Sequence, residues 1–174
     1  SRDWSSDVCS SDLEPLHGSD ATFMETTAVR QGGDWVINGM KRFNTGMHTA
    51  TVDLVFARTS GKPGDARGIS AFLVPVKSPG FKVEYMWWTF NMPSDHAEVS
   101  LTNVKVPGST MLGEEGRGLD VAQTFVHENR IRQAASSLGA AQYCIDMSVA
   151  YAKNRRVFGK ALATNRWEEH TSEL

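Results

Sequence analysis

The stretch TFMETTAVRQGGDWVINGMKRFNTG, residues 22–46, decides the fold that the sequence predicts. It reads as two short β-strands on either side of Gly32-Gly33. A Gly-Gly pair in this place favours a β-hairpin, because the tightest hairpin turns need positive φ angles. The chain therefore begins its predicted architecture with an antiparallel pair of strands.

Further strand-like segments follow on the C-terminal side of this hairpin. They are DLVFART, ISAFLVPV, FKVEYM and AEVSLTNVKVP, and the polar loop SGKPGDARG separates the first two. About five or six strands at this spacing predict a small antiparallel β-barrel or sandwich.

The pattern changes after Pro107, and apolar residues recur there at multiples near 3.6. They are Val121, Phe125, Ile131, Leu138, Ile145, Val149 and Ala152. The interval from Leu119 to Arg156 holds one Gly and no Pro, which predicts one long amphipathic helix ending near Gly159. Its single apolar stripe needs partner helices, so we interpret it as the first helix of a truncated helical bundle. The fold class is therefore α+β, and Cys144 is expected to be a small buried residue.

The two ends of the chain have a shared coding origin. Residues 168–174 can be coded by a DNA segment whose opposite strand, shifted by one base, encodes residues 5–11. This oligonucleotide resembles a sequencing-library adapter, so we interpret residues 1–13 and 166–174 as adapter-derived and expect the first segment to be disordered. Without them the chain has 16 basic and 14 acidic residues, a net charge of +2. That charge is no argument for nucleic acid or an acidic membrane, and no apolar run reaches the roughly 20 residues of a membrane span.

Three motifs carry the functional interpretation. They are EPLHGSD (residues 14–20), NGMKRFNTG (residues 38–46) and NRRVFGK (residues 154–160). Each alone has an ordinary explanation as a turn, a core strand or a charged helix end. Their order and spacing, with GISAFLV and LGEEGRG between them, closely resemble the acyl-CoA dehydrogenase family. In that resemblance residues 14–116 correspond to the middle β-domain and residues 117–165 to the start of the C-terminal helical domain.

The resemblance implies a flavoprotein oxidoreductase of fatty acid metabolism that binds FAD and an acyl-CoA thioester. In the family a base removes the α-proton of the substrate while the β-hydride passes to flavin N5. The cofactor supplies the difficult electronic chemistry, and the protein orients it. An electron-transfer flavoprotein or a similar acceptor, a homodimer or homotetramer and a cytoplasmic location are also implied.

The family motifs assign cofactor roles to two stretches of the β-region. Phe43 matches an aromatic residue that stacks on the isoalloxazine, and Thr45 matches a hydroxyl near flavin N5. Alternation along an extended segment places both on the same side. Asn44, between them, is counted with the cofactor-binding residues although the family has an apolar residue there. Gly18 and Ser19 match a loop beside FAD, and Ser19 also lies by the arm of the acyl-CoA substrate.

The predicted helix carries the remaining site residues. The resemblance implies that Asn129 and Arg130 line the substrate cleft, and that Arg155 and Phe158 reach the FAD of a neighbouring subunit. A guanidinium suits a pyrophosphate because it offers a rigid fork of donors. No catalytic base is assigned to this chain, because Asn129 stands where some members carry a catalytic Glu. The base is expected on later helices.

Alternatives stay open for the function and for two side chains. An acyl-CoA oxidase or a flavin monooxygenase of the same superfamily shares the fold, and a non-catalytic β-barrel interaction module is an alternative of another class. Trp87 and Trp88 are expected in core and interface rather than in an acyl-chain wall. His17 is expected to be an exposed loop residue rather than a ligand contact.

Overall fold

A computed structural model of the protein describes residues 8–11, 13–89 and 92–165. The strands are β1 (Val8–Ser11), β2 (Thr27–Gln31), β3 (Asp34–Thr45), β4 (Val52–Arg58), β5 (Ile69–Pro75), β6 (Phe81–Thr89), β7 (Met92–Pro107), β8 (Met111–Leu112), β9 (Arg156–Val157) and β10 (Lys160–Ala161). The α-helix α1 spans Gly118–Asn154, and single 3₁₀ turns lie at Ala21–Phe23, Ala66–Gly68, Gly108–Thr110 and Leu162–Thr164. Residue contacts divide the chain into two compact units, residues 1–124 and 125–174.

The first unit is built on one sheet of eight strands. Its order is β6-β7-β3-β2-β4-β5-β8, and β1 pairs with β4. The hairpin predicted at Gly32-Gly33 joins β2 to β3, with Gly32 at a φ of +63°. Most neighbours are antiparallel, whereas β1 and β2 each pair with β4 in parallel.

The sheet buries one main core between its strands. Trp35 and Phe72 meet edge to face in that core, with ring centroids 5.4 Å apart. A second apolar cluster forms where Leu119, Val121 and Ala122 of α1 pack against buried residues of the sheet. The first turn of α1 approaches the sheet closely, because a Cβ on Gly118 would lie 2.6 Å from the carbonyl carbon of Ser70.

A buried ion pair lies beneath the start of this sheet. The Lys41 Nζ atom donates to Glu14 Oε1 over 2.8 Å, and both side chains are almost completely inaccessible to solvent. The same carboxylate accepts the backbone N–H groups of Glu25 and Thr26 over 2.5 and 3.0 Å. Burial alone raises the pKa of the Glu14 carboxyl, but the Lys41 charge and these hydrogen bonds outweigh burial and hold the pKa below its ordinary value.

Gly39, the glycine of the NGMK sequence, is required because Thr26 lies directly against it. Between Ile37 and Gly39 the register of β3 against β7 shifts, which marks a β-bulge. A Cβ on Gly39 would lie 2.2 Å from Thr26 Oγ1 and 2.7 Å from Thr26 Cα. Gly39 thus lets β3 pass directly over the residue whose N–H binds Glu14.

The second unit consists of most of α1 and a small hairpin of β9 and β10. The predicted helix is confirmed, since Leu119–Arg156 and the observed Gly118–Asn154 differ by one and two residues at the ends. Its apolar side chains are largely exposed, and Cys144 is exposed too, contrary to expectation. No helix among the described residues has the length and apolar character that a membrane span requires.

The apolar residues of α1 do not form the single stripe that the sequence suggested. At about 100° per residue, one set falls within about 40° of arc and a second set lies roughly on the opposite side. The first set is Ile131, Leu138, Ile145 and Val149; the second is Phe125, Tyr143, Met147 and Tyr151. The helix therefore presents apolar surface in two directions.

The predicted α+β class is confirmed, with three corrections. The sheet is open rather than a closed barrel, because its edge strands β6 and β8 do not pair with each other in the described residues. It is not wholly antiparallel, because β4 has two parallel neighbours. Residues 8–11, expected to be disordered, form β1 and pair with Val52–Val55. Backbone groups alone can make such a ladder, whatever the side chains are.

Replacing Gly39 with Ala is expected to destabilise the sheet by about 1–3 kcal/mol or more, because the added methyl group overlaps the backbone of Thr26. Gly33→Ala is the matched control, since a Cβ there has open space around it. Urea unfolding of both variants measures the difference. Equal losses of unfolding free energy in the two variants would contradict the close-approach explanation.

Replacing Glu14 with Gln is expected to lower the free energy of unfolding by about 3–5 kcal/mol, because the buried Lys41 ammonium then loses the carboxylate charge that lies 2.8 Å from it and offsets its desolvation. Adding Lys41→Met should recover much of the loss. The native pKa of Glu14 is depressed, so its contribution is complete above the unfolded-state pKa and disappears as the pH falls through the folded-state pKa. Unfolding measured from pH 7 to pH 3 should show a steeper acid loss in the unmodified chain than in the double variant; parallel curves would count against this role.

Candidate functional site

Phe43 occupies an unusual backbone conformation at the end of β3. Arg42 pairs with Glu98 and Asn44 with Ala97, so Phe43 is the extra residue of a β-bulge. Its φ is +62°, a left-handed value that is rare for an aromatic residue and that glycine commonly occupies in such bulges. Strain of this kind concentrates at functional sites, where the surrounding structure holds it in place.

The bulge turns the Phe43 ring outward into a small aromatic face. The ring is 44% exposed, and its centroid lies 5.9 Å from that of Trp87. Tyr85 meets Trp87 edge to face at 4.9 Å. We call Phe43, Tyr85 and Trp87 the aromatic face. Arg42, which forms an ion pair with Glu98, lies over the Trp87 ring at 5.2 Å from its centroid.

Thr45 is exposed beside Phe43, as alternation along the strand predicted. Its hydroxyl oxygen lies 2.8 Å from His96 Nδ1 and 3.3 Å from the carbonyl oxygen of Phe43. His96 is the cross-strand partner of both Thr45 on β3 and Trp87 on β6. The three side chains therefore occupy one row across three strands.

The Asn44 side chain points into the protein, away from the exposed side of Phe43 and Thr45. Its side chain is completely buried, and its amide nitrogen donates to Asp53 Oδ2 on β4 over 2.8 Å. The expected contact between this side chain and a cofactor does not fit that position. The polar residue that departs from the family pattern has a buried polar partner, and together they anchor the strand beneath the bulge.

The loop of the first motif is fixed at both ends and open in the middle. Glu14 holds one end through Lys41, and Asp20 caps the turn Ala21–Phe23 by accepting the N–H of Thr22 over 3.0 Å. The hydrogen bonds from Thr22 lower the pKa of Asp20. Gly18 and Ser19 are exposed between these anchors, and a Cβ on Gly18 would meet nothing within 4 Å. Their position leaves a hydroxyl and a side-chain-free backbone open to solvent.

His17 in the same loop is less exposed than expected. Its ring stacks on Phe23 with centroids 6.1 Å apart, and its Nε2 atom lies 3.5 Å from Glu25 Oε1. These contacts favour the interpretation of His17 as a residue that orders the loop.

The residues predicted on the helix lie in the second unit. Arg130 is exposed, and Asn129 accepts a hydrogen bond from the guanidinium of Arg132. Arg155 follows the last helical residue, and its N–H donates to the carbonyl of Tyr151 over 2.8 Å. The guanidinium groups of Arg130 and Arg155 and the amide of Asn129 are among the polar groups that this unit presents to solvent.

Phe158 lies at the tip of the β9–β10 hairpin. It has a φ of +50° and its neighbour Gly159 has a φ of +77°, the two positive values of a type I′ turn. The Phe158 side chain is fully exposed. A second aromatic ring is thus held outward by a left-handed backbone.

Sequence reasoning missed Trp87 and His96 as neighbours of the aromatic-hydroxyl pair. Trp87 is half-buried against Phe43 and Trp88 is 65% exposed, so neither lies in the core of this chain, and the expected interface position stays a prediction for both. Both neighbours are positioned by two strand registers, that of β6 against β7 and that of β7 against β3. Each of these registers includes bulges. A single sequence does not specify those registers.

Chemically, the arrangement in the first unit suits a flat conjugated ligand. An exposed ring supplies a stacking surface, and an adjacent hydroxyl can either donate or accept one hydrogen bond. Both are attached to one strand end that the buried Asn44 and Asp53 side chains hold from below. Precise placement of both groups follows from this anchoring.

Two family profiles match the chain. "Acyl-CoA dehydrogenase, middle domain" matches residues 13–104, and "Acyl-CoA dehydrogenase, C-terminal domain" matches residues 116–171. The second match extends six residues into the segment interpreted as adapter-derived.

Curated relatives and solved structures agree with the profiles. The chain is 37% identical to an acyl-CoA dehydrogenase of Bacillus subtilis over 88% of this chain and 40% of that protein. It is 37% identical to the rat short-chain specific mitochondrial acyl-CoA dehydrogenase over 86% of this chain and 36% of that protein. A glutaryl-CoA dehydrogenase from Mycobacterium smegmatis, solved in complex with FADH2, superposes with a TM-score of 0.75 at 32% identity, covering 94% of this chain and 41% of the other.

The chain spans about 40% of the length of the relatives it matches. The middle-domain profile alone covers more than half of the chain, on the same residues that build the sheet, the aromatic face and Thr45. This chain belongs to the acyl-CoA dehydrogenase family.

Proposed function

We propose that this chain is the flavin-holding part of an FAD-dependent acyl-CoA dehydrogenase. The observation that carries the proposal is the bulge at Phe43, where a strained backbone holds an aromatic ring outward beside the exposed hydroxyl of Thr45. Backbone strain that the surrounding structure maintains is concentrated at ligand and active sites, which supports a ligand for the Phe43 ring. These residues therefore fit a flavin, whose ring can stack on Phe43 while a ring nitrogen meets Thr45.

FAD, when bound, supplies the hydride-accepting chemistry of an α,β-dehydrogenation of an acyl-CoA thioester. Phe43 would hold the isoalloxazine in place, and Thr45 would offer a hydrogen bond near N5. Gly18 would let the loop backbone approach FAD, and the Ser19 hydroxyl would serve FAD and the substrate arm. Glu14 and Lys41 stay outside the chemistry, since their mutual ion pair is buried below that loop.

The second unit would complete the binding surfaces. Asn129 and Arg130 would line the substrate cleft, and Arg155 and Phe158 would contact the FAD of a neighbouring subunit in a homodimer or homotetramer. The outward ring of Phe158 on a two-residue turn supports this, because a fully exposed aromatic side chain is suited to insertion into a partner surface. No residue of this chain is assigned as the base that removes the α-proton.

The electron acceptor and the compartment complete the proposal. Reduced flavin in the parent protein would pass its electrons to an electron-transfer flavoprotein or a similar acceptor. The rat relative is mitochondrial by name and the Bacillus subtilis relative is bacterial. A cytoplasmic parent protein is our prediction.

The parent protein, expressed at full length, is expected to purify with FAD and to show the usual flavin absorbance near about 450 nm. Anaerobic addition of saturated acyl-CoA thioesters of graded chain length should bleach that band, because the α,β-dehydrogenation reduces the flavin. Free coenzyme A is the control and should leave the band unchanged.

The same measurement separates the alternatives. Rapid return of the band on admitting O₂, without an added acceptor protein, would identify an oxidase or monooxygenase instead. A colourless protein that takes up no added FAD would overturn the proposal in favour of a non-catalytic interaction module.

Phe43→Ala in the parent protein is expected to weaken FAD binding about 3- to 30-fold, because the stacking surface is lost while the hydroxyl remains. Val29→Ala is the control, since Val29 is also exposed but lies on β2 opposite Val36, toward the other end of β3 from Phe43. Titration of apoprotein with FAD, followed by flavin fluorescence, gives both affinities. An unchanged affinity in Phe43→Ala, or an equal loss in Val29→Ala, would contradict the stacking role.

A further inference from the structure

The hydroxyl of Thr45 has one hydrogen and two protein neighbours competing for it. His96 Nδ1 lies at 2.8 Å, and the carbonyl oxygen of Phe43 lies at a longer 3.3 Å. The carbonyl can only accept, whereas Nδ1 donates or accepts according to the protonation of the imidazole. What Thr45 can offer to a ligand therefore depends on His96.

We propose that His96 is a positioning residue that sets whether the Thr45 hydroxyl donates to, or accepts from, the ring bound on the aromatic face. The inference rests on the proposed function, which places a flavin beside Phe43 and Thr45. Neither the family motifs nor the sequence analysis singled out His96. Its contact with Thr45 is a consequence of the pairing of β7 with β3.

The number of donors and acceptors around the Thr45 hydroxyl defines two states of this group. When Nδ1 carries no proton, it accepts the Thr45 hydrogen at 2.8 Å, and the oxygen can offer only a lone pair outward. When Nδ1 carries a proton, it donates to Thr45 Oγ1 instead. The hydroxyl hydrogen is then held only by the long contact to the Phe43 carbonyl and can turn outward at little cost. The first state makes Thr45 an acceptor and the second makes it a donor.

Charged and titratable groups lie around His96. On its own strand the Asp95 Oδ1 atom lies 3.8 Å from His96 Nδ1. His48, in the loop after β3, lies 3.9 Å from the other oxygen of Asp95 and competes for its charge.

The remaining charges near His96 compensate one another. Arg42 on β3 lies over Trp87, the partner of His96 on β6, and would oppose a second positive charge. Its ion pair with Glu98 offsets that charge.

The two states of Thr45 suit the two redox forms of a flavin. N5 of oxidised flavin accepts a hydrogen bond, and N5–H of reduced flavin donates one. His96 with a proton on Nδ1 therefore favours binding of oxidised FAD through a donating Thr45, and neutral His96 with its hydrogen on Nε2 favours the reduced form. A side chain that does not touch the cofactor would in this way couple proton concentration to flavin affinity.

The test measures binding of oxidised FAD to the apo form of the complete parent protein from about pH 5 to pH 8, the range in which imidazoles ordinarily titrate. The unmodified protein should bind oxidised FAD about 3- to 10-fold more tightly at the acidic end, the worth of one hydrogen bond. Reduced FAD, titrated anaerobically, should show the opposite trend. Catalytic turnover is not needed for either measurement.

Four variants assign the pH dependence to the pair. His96→Asn, which keeps a polar group near the Nδ1 position but does not titrate, and Thr45→Val should both abolish the acid-side gain. Thr45→Ser should retain it, because the hydroxyl remains. His48→Asn is the control, since it removes a neighbouring imidazole that lies beside Asp95, and it should retain most of the gain.

The outcomes distinguish a failure of the role of His96 from a failure of the proposed function. A pH dependence that survives in both His96→Asn and Thr45→Val, or that is absent from the unmodified protein while FAD binds well, overturns the role of His96 and leaves the proposed function intact. Absence of FAD binding at every pH overturns the proposed function and this inference with it. If His96→Asn does not fold, Thr45→Val alone decides, because removing the hydroxyl must abolish the same dependence.

Discussion

The fold of the first unit depends on the buried ion pair between Glu14 and Lys41. Each of these residues lies in a different motif, and their contact fixes the first loop on the back of β3. Two backbone N–H groups complete the coordination of the carboxylate, so that no charge is left unsatisfied at the junction. A buried pair of this kind contributes little net stability compared with apolar residues, but it strongly disfavours any arrangement that separates the partners. The ion pair therefore fixes the first loop relative to β3. It places Gly18 and Ser19 at a defined position relative to the strand that carries Phe43 and Thr45.

The bulge at Phe43 lies on the strand that this ion pair holds in position. A left-handed aromatic residue is unfavourable by about 1–3 kcal/mol, and it persists because flanking residues are fixed. Asn44 provides the fixation by directing its amide into the sheet toward Asp53, while the residues before and after it point outward. The polar residue at position 44, which departs from the family pattern, and the outward position of Phe43 therefore depend on each other. An apolar residue at 44 would leave the buried Asp53 carboxylate without this donor.

The sequence was sufficient for the features that depend on local pattern. The hairpin at Gly32-Gly33 and the helix Gly118–Asn154 follow from glycine placement and periodicity. Phe43 and Thr45 lie on the same side as predicted, but Phe43 reaches that side through a left-handed bulge rather than through regular alternation. Features set by long-range pairing were not accessible. The row formed by Thr45, His96 and Trp87 depends on a register that is shifted at bulges in two strand pairs. The strand at residues 8–11 was missed for a related reason, because its pairing uses backbone groups that every sequence possesses.

The two units differ in what holds their functional residues in place. The sheet unit has its own core around Trp35 and Phe72, so the positions of Phe43 and Thr45 are set by contacts within this chain. The helix carries apolar side chains on two opposite sides, and most of them are exposed. An isolated helix gains little stability from its own backbone, since tertiary packing supplies most of it. Arg130 on the helix and Arg155 just after it therefore depend on packing outside this chain for a fixed position. The proposed stacking surface is built within this chain, whereas the proposed substrate and intersubunit contacts would require the assembled parent protein.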